Sequence, residues 1–136
     1  MAKASAMNLA VDCHDIVGPL GHFWESTGFT PARMLLNPDM QQTLAYVGSI
    51  PCGGIKHVRI HFLLDLVWAD GLGTARPRFD WSRLDQGLDV LVGSGLRPFF
   101  ELMGNPGGHF TDFGQETQLD AWRSLVSELA RHCIAR

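Results

Sequence analysis

Paired cysteines are missing from this chain. Its 136 residues hold three, Cys13, Cys52 and Cys133, with no C-x-x-C among them. That excludes a disulfide framework and a thiolate metal site, and makes a reducing compartment the simpler expectation. Long apolar runs are also missing, since nothing approaches the roughly 20 residues that a membrane helix needs. A basic field is absent too. The net charge is -3 and the pI about 6.0, with Lys and Arg scattered, so nucleic acid is not an expected partner. Behind Lys3 there is no apolar core of roughly 7–15 residues of the secretory kind, and the cytoplasm is the default expectation.

What remains is an ordinary globular composition, 46% hydrophobic and 18% charged. A chain of this length forms one domain and buries about two-thirds of the surface that its unfolded form exposes. Its elements are readable from punctuation and period. Asn8 to Asp12 and Phe23 to Phe29 read as strands, the second closed by Gly28 and Pro31. Asn37-Pro38 then opens a helix in which Met40, Leu44 and Val47 share a face, ending near Gly48. A strand over His57 to Leu64 follows, then a loop from about Ala69 to Arg78. Asp80 is the expected N-cap of a helix carrying Leu84, Leu88, Leu91 and Val92, stopped by Gly93 and Gly95. Arg97 to Met103 reads as the next strand, and Gln118 to Ile134 as a closing amphipathic helix.

The alternation of strand and helix predicts an α/β fold with parallel strands. Strands that begin near residues 23, 57 and 97 lie 34 and 40 residues apart, which suits a barrel or an open doubly wound sheet. A complete (β/α)8 barrel takes roughly 250 residues, so a chain of this size supplies about three of its eight units.

The segment from Gly54 to Leu64 carries the most chemistry. As a strand it places Val58, Ile60 and Phe62 on one face and Arg59, His61 and Leu63 on the other. A cation inside a strand expects a carboxylate or a polar ligand beside it. Glu101, on the strand after, is a candidate partner for Arg59 or part of a polar site floor. His61 sits near the carboxyl end of its strand, where α/β sheets place their ligand sites, and is the foremost site candidate. His57 and His61 mimic an H-x-x-x-H pair, but on a strand they lie about 13 Å apart, too far to share a metal. His109 to Asp112 could reach a metal in principle; a loop packed down by Phe110 and Phe113 is the simpler reading. The Gly71-Leu72-Gly73 and Gly104-Asn105-Pro106-Gly107-Gly108 runs lack the spacing of phosphate loops, and Ser26 lies in no nucleophile elbow. No metal and no cofactor is expected.

Several long strings, in order, resemble glycoside hydrolase family 39, its α-L-iduronidase branch more than its β-xylosidase branch. They are Phe23-Trp24-Glu25-Ser26-Thr27-Gly28-Phe29-Thr30-Pro31, Leu44-Ala45-Tyr46-Val47-Gly48-Ser49-Ile50-Pro51, Gly54 to His61, Phe79 to Leu84, Phe100 to Gly104 and Gly108 to Phe113. The resemblance implies a partial (β/α)8 TIM barrel over residues 1–136, a carbohydrate substrate, and parentage in a retaining glycosidase with an acid/base glutamate and a nucleophile glutamate. In that family the acid/base follows an asparagine in an Asn-Glu-Pro motif ending strand four, and the nucleophile stands on strand seven. No Asn-Glu pair occurs in this sequence, so it offers no catalytic residue and is expected to be inactive alone. By the same resemblance His61 and Pro31 match sugar-contacting positions, and Arg59 matches an arginine that supports the nucleophile. A uronic acid substrate calls for an Arg or Lys at its carboxylate; the sequence nominates none. The alternative is a stand-alone carbohydrate-binding or interaction module built from an incomplete, dimerised barrel, with the oligomeric state left open.

Overall fold

In the computed structural model, which describes residues 7–19, 21, 23–51 and 54–136, three parallel strands alternate with helices. Strand β1 (Ser26–Phe29) is followed by α1 (Pro38–Gly48), β2 (His57–Ile60), a hairpin of β3 (Trp68–Asp70) and β4 (Arg78–Asp80), α2 (Ser82–Gly93), β5 (Arg97–Phe100) and α3 (Glu116–Ala135). The parallel sheet has the order β1-β2-β5, with β2 in the middle. Its register puts Gly28 opposite Arg59 and Arg59 opposite Phe99.

Local chemistry starts and stops the helices. The Asn37 side chain accepts a hydrogen bond from the Asp39 N–H at 2.9 Å, and Pro38 fills the first helical position, where its missing N–H costs nothing. Gly95, at φ +73°, ends the run of α2: its N–H donates to the Val92 carbonyl and that of Leu96 to the Leu91 carbonyl, both at 2.9 Å. This is the paired closure in which a left-handed residue satisfies the last carbonyls. Gly48 sets how closely the helices pack, because a Cβ there would stand 1.9 Å from the Ser94 carbonyl oxygen.

One face of the sheet is covered. Val58 and Ile60 are fully buried with Leu35, Leu63, Leu64, Leu84, Leu91, Leu96 and Leu125, and among the described residues the buried set contains no polar or charged side chain. Burial of apolar surface at about 25 cal/mol per Å² is what holds this layer together.

Five expectations need correction. Strand β2 ends at Ile60, and Phe62 takes the left-handed conformation at φ +66°, so the alternation of faces breaks. Leu63, expected beside Arg59, therefore turns inward and is fully buried, while Phe62 is left 40% exposed. Strand β5 likewise stops at Phe100. The stretch expected to be loop from Ala69 to Arg78 is bracketed by an antiparallel hairpin pairing Trp68 with Asp80 and Asp70 with Arg78. Residues 8–12 form no strand and are exposed. Asp80 lies one residue outside the α2 cap, Trp81, yet its carboxylate still accepts from the Ser82 N–H at 2.9 Å and the Ser82 hydroxyl at 2.5 Å. Cys52 lies outside the described residues; Cys13 and Cys133 are free thiols.

Candidate functional site

The uncovered face of the sheet holds the polar residues. Alternation along β2 sends Arg59 away from the Val58–Ile60 core, and the chain emerges from the carboxyl end of the strand at His61. Glu101 follows β5 directly. With Ile60 opposite Phe100, one step further along both chains brings His61 level with Glu101.

A single carboxylate joins the two. Glu101 Oε1 lies 3.1 Å from Arg59 Nε, and Oε2 lies 2.5 Å from His61 Nδ1. The second contact is short but poorly aligned, so both buried atoms lack a directed hydrogen bond among the described residues. The Glu101 side chain is only 19% exposed, against 54% for Arg59. The acid is thus sheltered between an exposed guanidinium and a partly exposed imidazole. With Nδ1 lying against Glu101, Nε2 is the imidazole nitrogen left to meet a ligand.

Gly28 matters here through what it lacks. A Cβ at that position would lie 2.9 Å from the Arg59 carbonyl oxygen, so glycine lets β1 pair closely and leaves the space above Arg59 open. That space is a cavity of about 640 Å³ lined by Ser26, Gly28, Thr30, Arg59, His61 and Phe99. Pro31 sits just outside it. The next residue, Ala32, donates its N–H to the His61 carbonyl at 3.0 Å, which ties the loop after β1 to the end of β2. Pro31 itself lines an adjoining cavity with Arg33, Phe62, Asp65 and Arg83. Of the three residues singled out from sequence, then, Arg59 and His61 share one site and Pro31 opens onto its neighbour. His57 takes no part in the Glu101 contacts.

Two supporting residues escaped sequence reasoning. Asp65 Oδ1 accepts from the Asn105 N–H at 2.9 Å, stitching the loop after β2 to the loop after β5. Gly104, at φ +130°, makes this approach possible, since a Cβ there would stand 2.7 Å from Asp65 Oδ1 and 2.8 Å from Asp65 N. Asn105 then closes its own loop, exchanging two 2.9 Å bonds with the Phe110 backbone. The Asn-Pro-Gly-Gly run signalled a turn, but nothing local announced its partner forty residues earlier. Further on, Phe110 and Phe113 stack with centroids 5.7 Å apart, and both meet Trp122 edge-on, so the loop after β5 is packed by its aromatics. Among the described residues no group of three His, Cys, Asp or Glu could hold a metal ion, and no helix is long and apolar enough to cross a membrane.

Comparison with known proteins places this arrangement. The profile of glycosyl hydrolases family 39 matches residues 7–136. The α-L-iduronidase of Homo sapiens is 44% identical over 144 residues, covering 100% of this chain and 22% of the relative. That of Drosophila melanogaster is 35% identical over 128 residues, covering 85% and 20%. A solved structure described as the bacterial orthologue of human α-L-iduronidase superposes with a TM-score of 0.78 at 48% identity, over 88% of this chain and 19% of that one. A β-xylosidase from Caulobacter crescentus, 23% identical over 91% of this chain and 27% of its own, shares the fold at a TM-score of 0.66. The chain spans about a fifth of the length of the curated relatives it matches.

Proposed function

Since this chain belongs to glycosyl hydrolases family 39 and is iduronidase-like within it, we propose that residues 1–136 supply the first three βα units of a (β/α)8 retaining glycosidase, and with them part of its sugar site. The observation that carries this reading is the Glu101 carboxylate held between Arg59 and His61 at the carboxyl ends of two adjacent parallel strands. Barrels of this kind place their ligands at that end.

Each residue has a distinct task in this reading. His61 presents Nε2 to a sugar hydroxyl while Glu101 holds Nδ1. Pro31, tied to His61 through Ala32, shapes the rim beside that hydroxyl. Arg59 spends Nε on Glu101, and its terminal nitrogens meet no carboxylate among the described residues. They are therefore available to a nucleophile glutamate, which a neighbouring cation would keep ionised. Retaining chemistry needs two carboxyl groups about 5–5.5 Å apart, one as nucleophile and one as acid and base. Glu101 is committed to positioning its two neighbours, and the sequence contains no Asn-Glu pair. On its own, the chain binds glycosides without hydrolysing them.

Titration with methyl iduronide and methyl xyloside, followed by backbone amide signals, tests the binding. Shifts confined to Thr30–Ala32, Arg59–His61 and Glu101, and lost in His61→Ala, are expected. Turnover of aryl iduronides or aryl xylosides above buffer overturns the inactivity. The rival reading, a dimerised binding module, draws on the apolar groove beside β5 lined by Leu88, Val92, Pro98 and Phe100. A compact dimer in sedimentation favours that rival.

A further inference from the structure

The residue after His61 stands in a backbone conformation that its side chain resists. Phe62 has φ +66° and ψ +32°, in the left-handed region, whereas every other positive φ among the described residues belongs to a glycine. A bulky aromatic there is a steric outlier, because its Cβ crowds the backbone. Glycine would adopt the same turn freely.

The turn itself is held by main-chain bonds. The His61 N–H donates to the Phe29 carbonyl at 3.2 Å, and the His61 carbonyl accepts from the Ala32 N–H at 3.0 Å. Just beyond, the Asp65 N–H donates to the Phe62 carbonyl at 3.0 Å and the Leu64 N–H to the Met103 carbonyl at 3.1 Å. None of these uses the Phe62 side chain, so glycine at this position would make them all. Nor does the core claim the ring, since Leu63 and Leu64 are fully buried directly after it while Phe62 stays 40% exposed. Strain of this kind persists at sites where the side chain has a task.

The surroundings of the ring define that task. Its centroid lies 6.3 Å from that of His61 with the planes at 57°, and it lines the groove that it shares with Pro31 and Asp65. The two rings thus make a corner at the carboxyl end of β2, one wall polar and one apolar. His61 has a nitrogen to offer a hydroxyl. Phenylalanine has neither donor nor acceptor, so what it meets is a C–H face or another ring.

We infer that Phe62 is a specificity-determining residue of the glycoside site, its ring packing against a flat apolar face of the bound glycoside. That face is the C–H side of the sugar or an apolar aglycone. That the ligand is a glycoside rests on the proposed function; the contact itself needs no charge.

The test uses the 136-residue chain with two neutral probes, methyl xyloside and phenyl xyloside, followed by calorimetry and backbone amide signals. Phe62→Ala and Phe62→Gly should each weaken phenyl xyloside roughly tenfold, or about 1.4 kcal/mol. Phe62→Tyr should keep the native affinity, and Phe62→Leu, which retains bulk without a flat face, should fall between. Methyl xyloside weakened equally places the sugar on the ring; methyl xyloside unchanged places the aglycone there. Phe62→Gly should also melt a few degrees above Phe62→Ala, because only alanine keeps the left-handed strain. Native affinity for both probes in Phe62→Ala and Phe62→Gly overturns the inference, as does an alanine variant that melts at or above the glycine one. His61→Ala separates this contact from the first site. Binding that survives His61→Ala but not Phe62→Ala sinks the first site and supports the aromatic wall, and the opposite pattern does the reverse.

Discussion

The two faces of strand β2 obey opposite rules. Toward the helices, Val58 and Ile60 are fully buried in a layer that holds no polar side chain among the described residues. Toward the open side, Arg59 and then His61 converge on one sheltered carboxylate. The first face is held by area alone and forgives nothing polar. The second exchanges stability for chemistry, because ordering a partly exposed guanidinium and imidazole around an acid contributes little net energy. The four successive residues Val58 to His61, at and just past the end of β2, therefore carry both the scaffold and its site in alternation.

The comparison can be broken most violently from the covered side. Ile60→Asp buries a carboxylate without a partner and should cost more than about 4 kcal/mol, most of a small domain's stability. Cooperative thermal unfolding should be lost. A folded, cooperatively melting variant would show that this layer is not the sealed core described. Next in size is Leu125→Ala, at a fully buried position of α3, expected to cost about 2–5 kcal/mol by denaturant midpoint.

On the open face, Glu101→Ala should cost only about 1 kcal/mol, because Arg59 is more than half exposed and water screens it. It should nevertheless remove the shifts that a sugar induces at His61. A stability loss as large as that of Leu125→Ala would erase the distinction between the two faces.

The smallest effect concerns pH. The Ser82 hydroxyl and N–H hold the Asp80 carboxyl below its ordinary value. A carboxyl depressed in the folded state adds stability above its unfolded pKa, and that stability disappears as pH falls through the folded value. Asp80→Asn should therefore flatten the acid limb of the stability curve by lowering stability at neutral pH toward the value at acid pH. The apolar face should show no such limb.

Much of this was legible before any coordinates. The three helices announced themselves through period and punctuation: Asn37-Pro38 for α1, the Leu84-Leu88-Leu91 face for α2, and Leu125 and Leu129 within the longer face of α3. Arg59 was readable as a cation in need of a carboxylate, with Glu101 as its candidate. That His61 meets the same acid was not readable, because it depends on register, and register is fixed by strand pairing at long range. Phe62 was misread for a related reason. Strand alternation was extended through a residue that turns left-handed, which no propensity of phenylalanine suggests. The hairpin of β3 and β4 stayed hidden behind the glycines and prolines of its own tip, between Gly71 and Pro77. The family resemblance, by contrast, rested on long ordered strings, and those survive such local errors.

The bond from the Asn105 N–H to Asp65 has a mechanical meaning. Without it, the segments after β2 and β5 would be joined by the Leu64 N–H to Met103 carbonyl bond at 3.1 Å and could pivot about that one point. With it, and with Gly104 admitting no gap between them, they close a truss whose members run from His61 to Asp65, across to Asn105, and back to Glu101. Relative sliding of the histidine and the glutamate then has to stretch that frame. A load placed on the groove at Asp65 is transmitted to the acid at Glu101 without crossing the hydrophobic layer beneath.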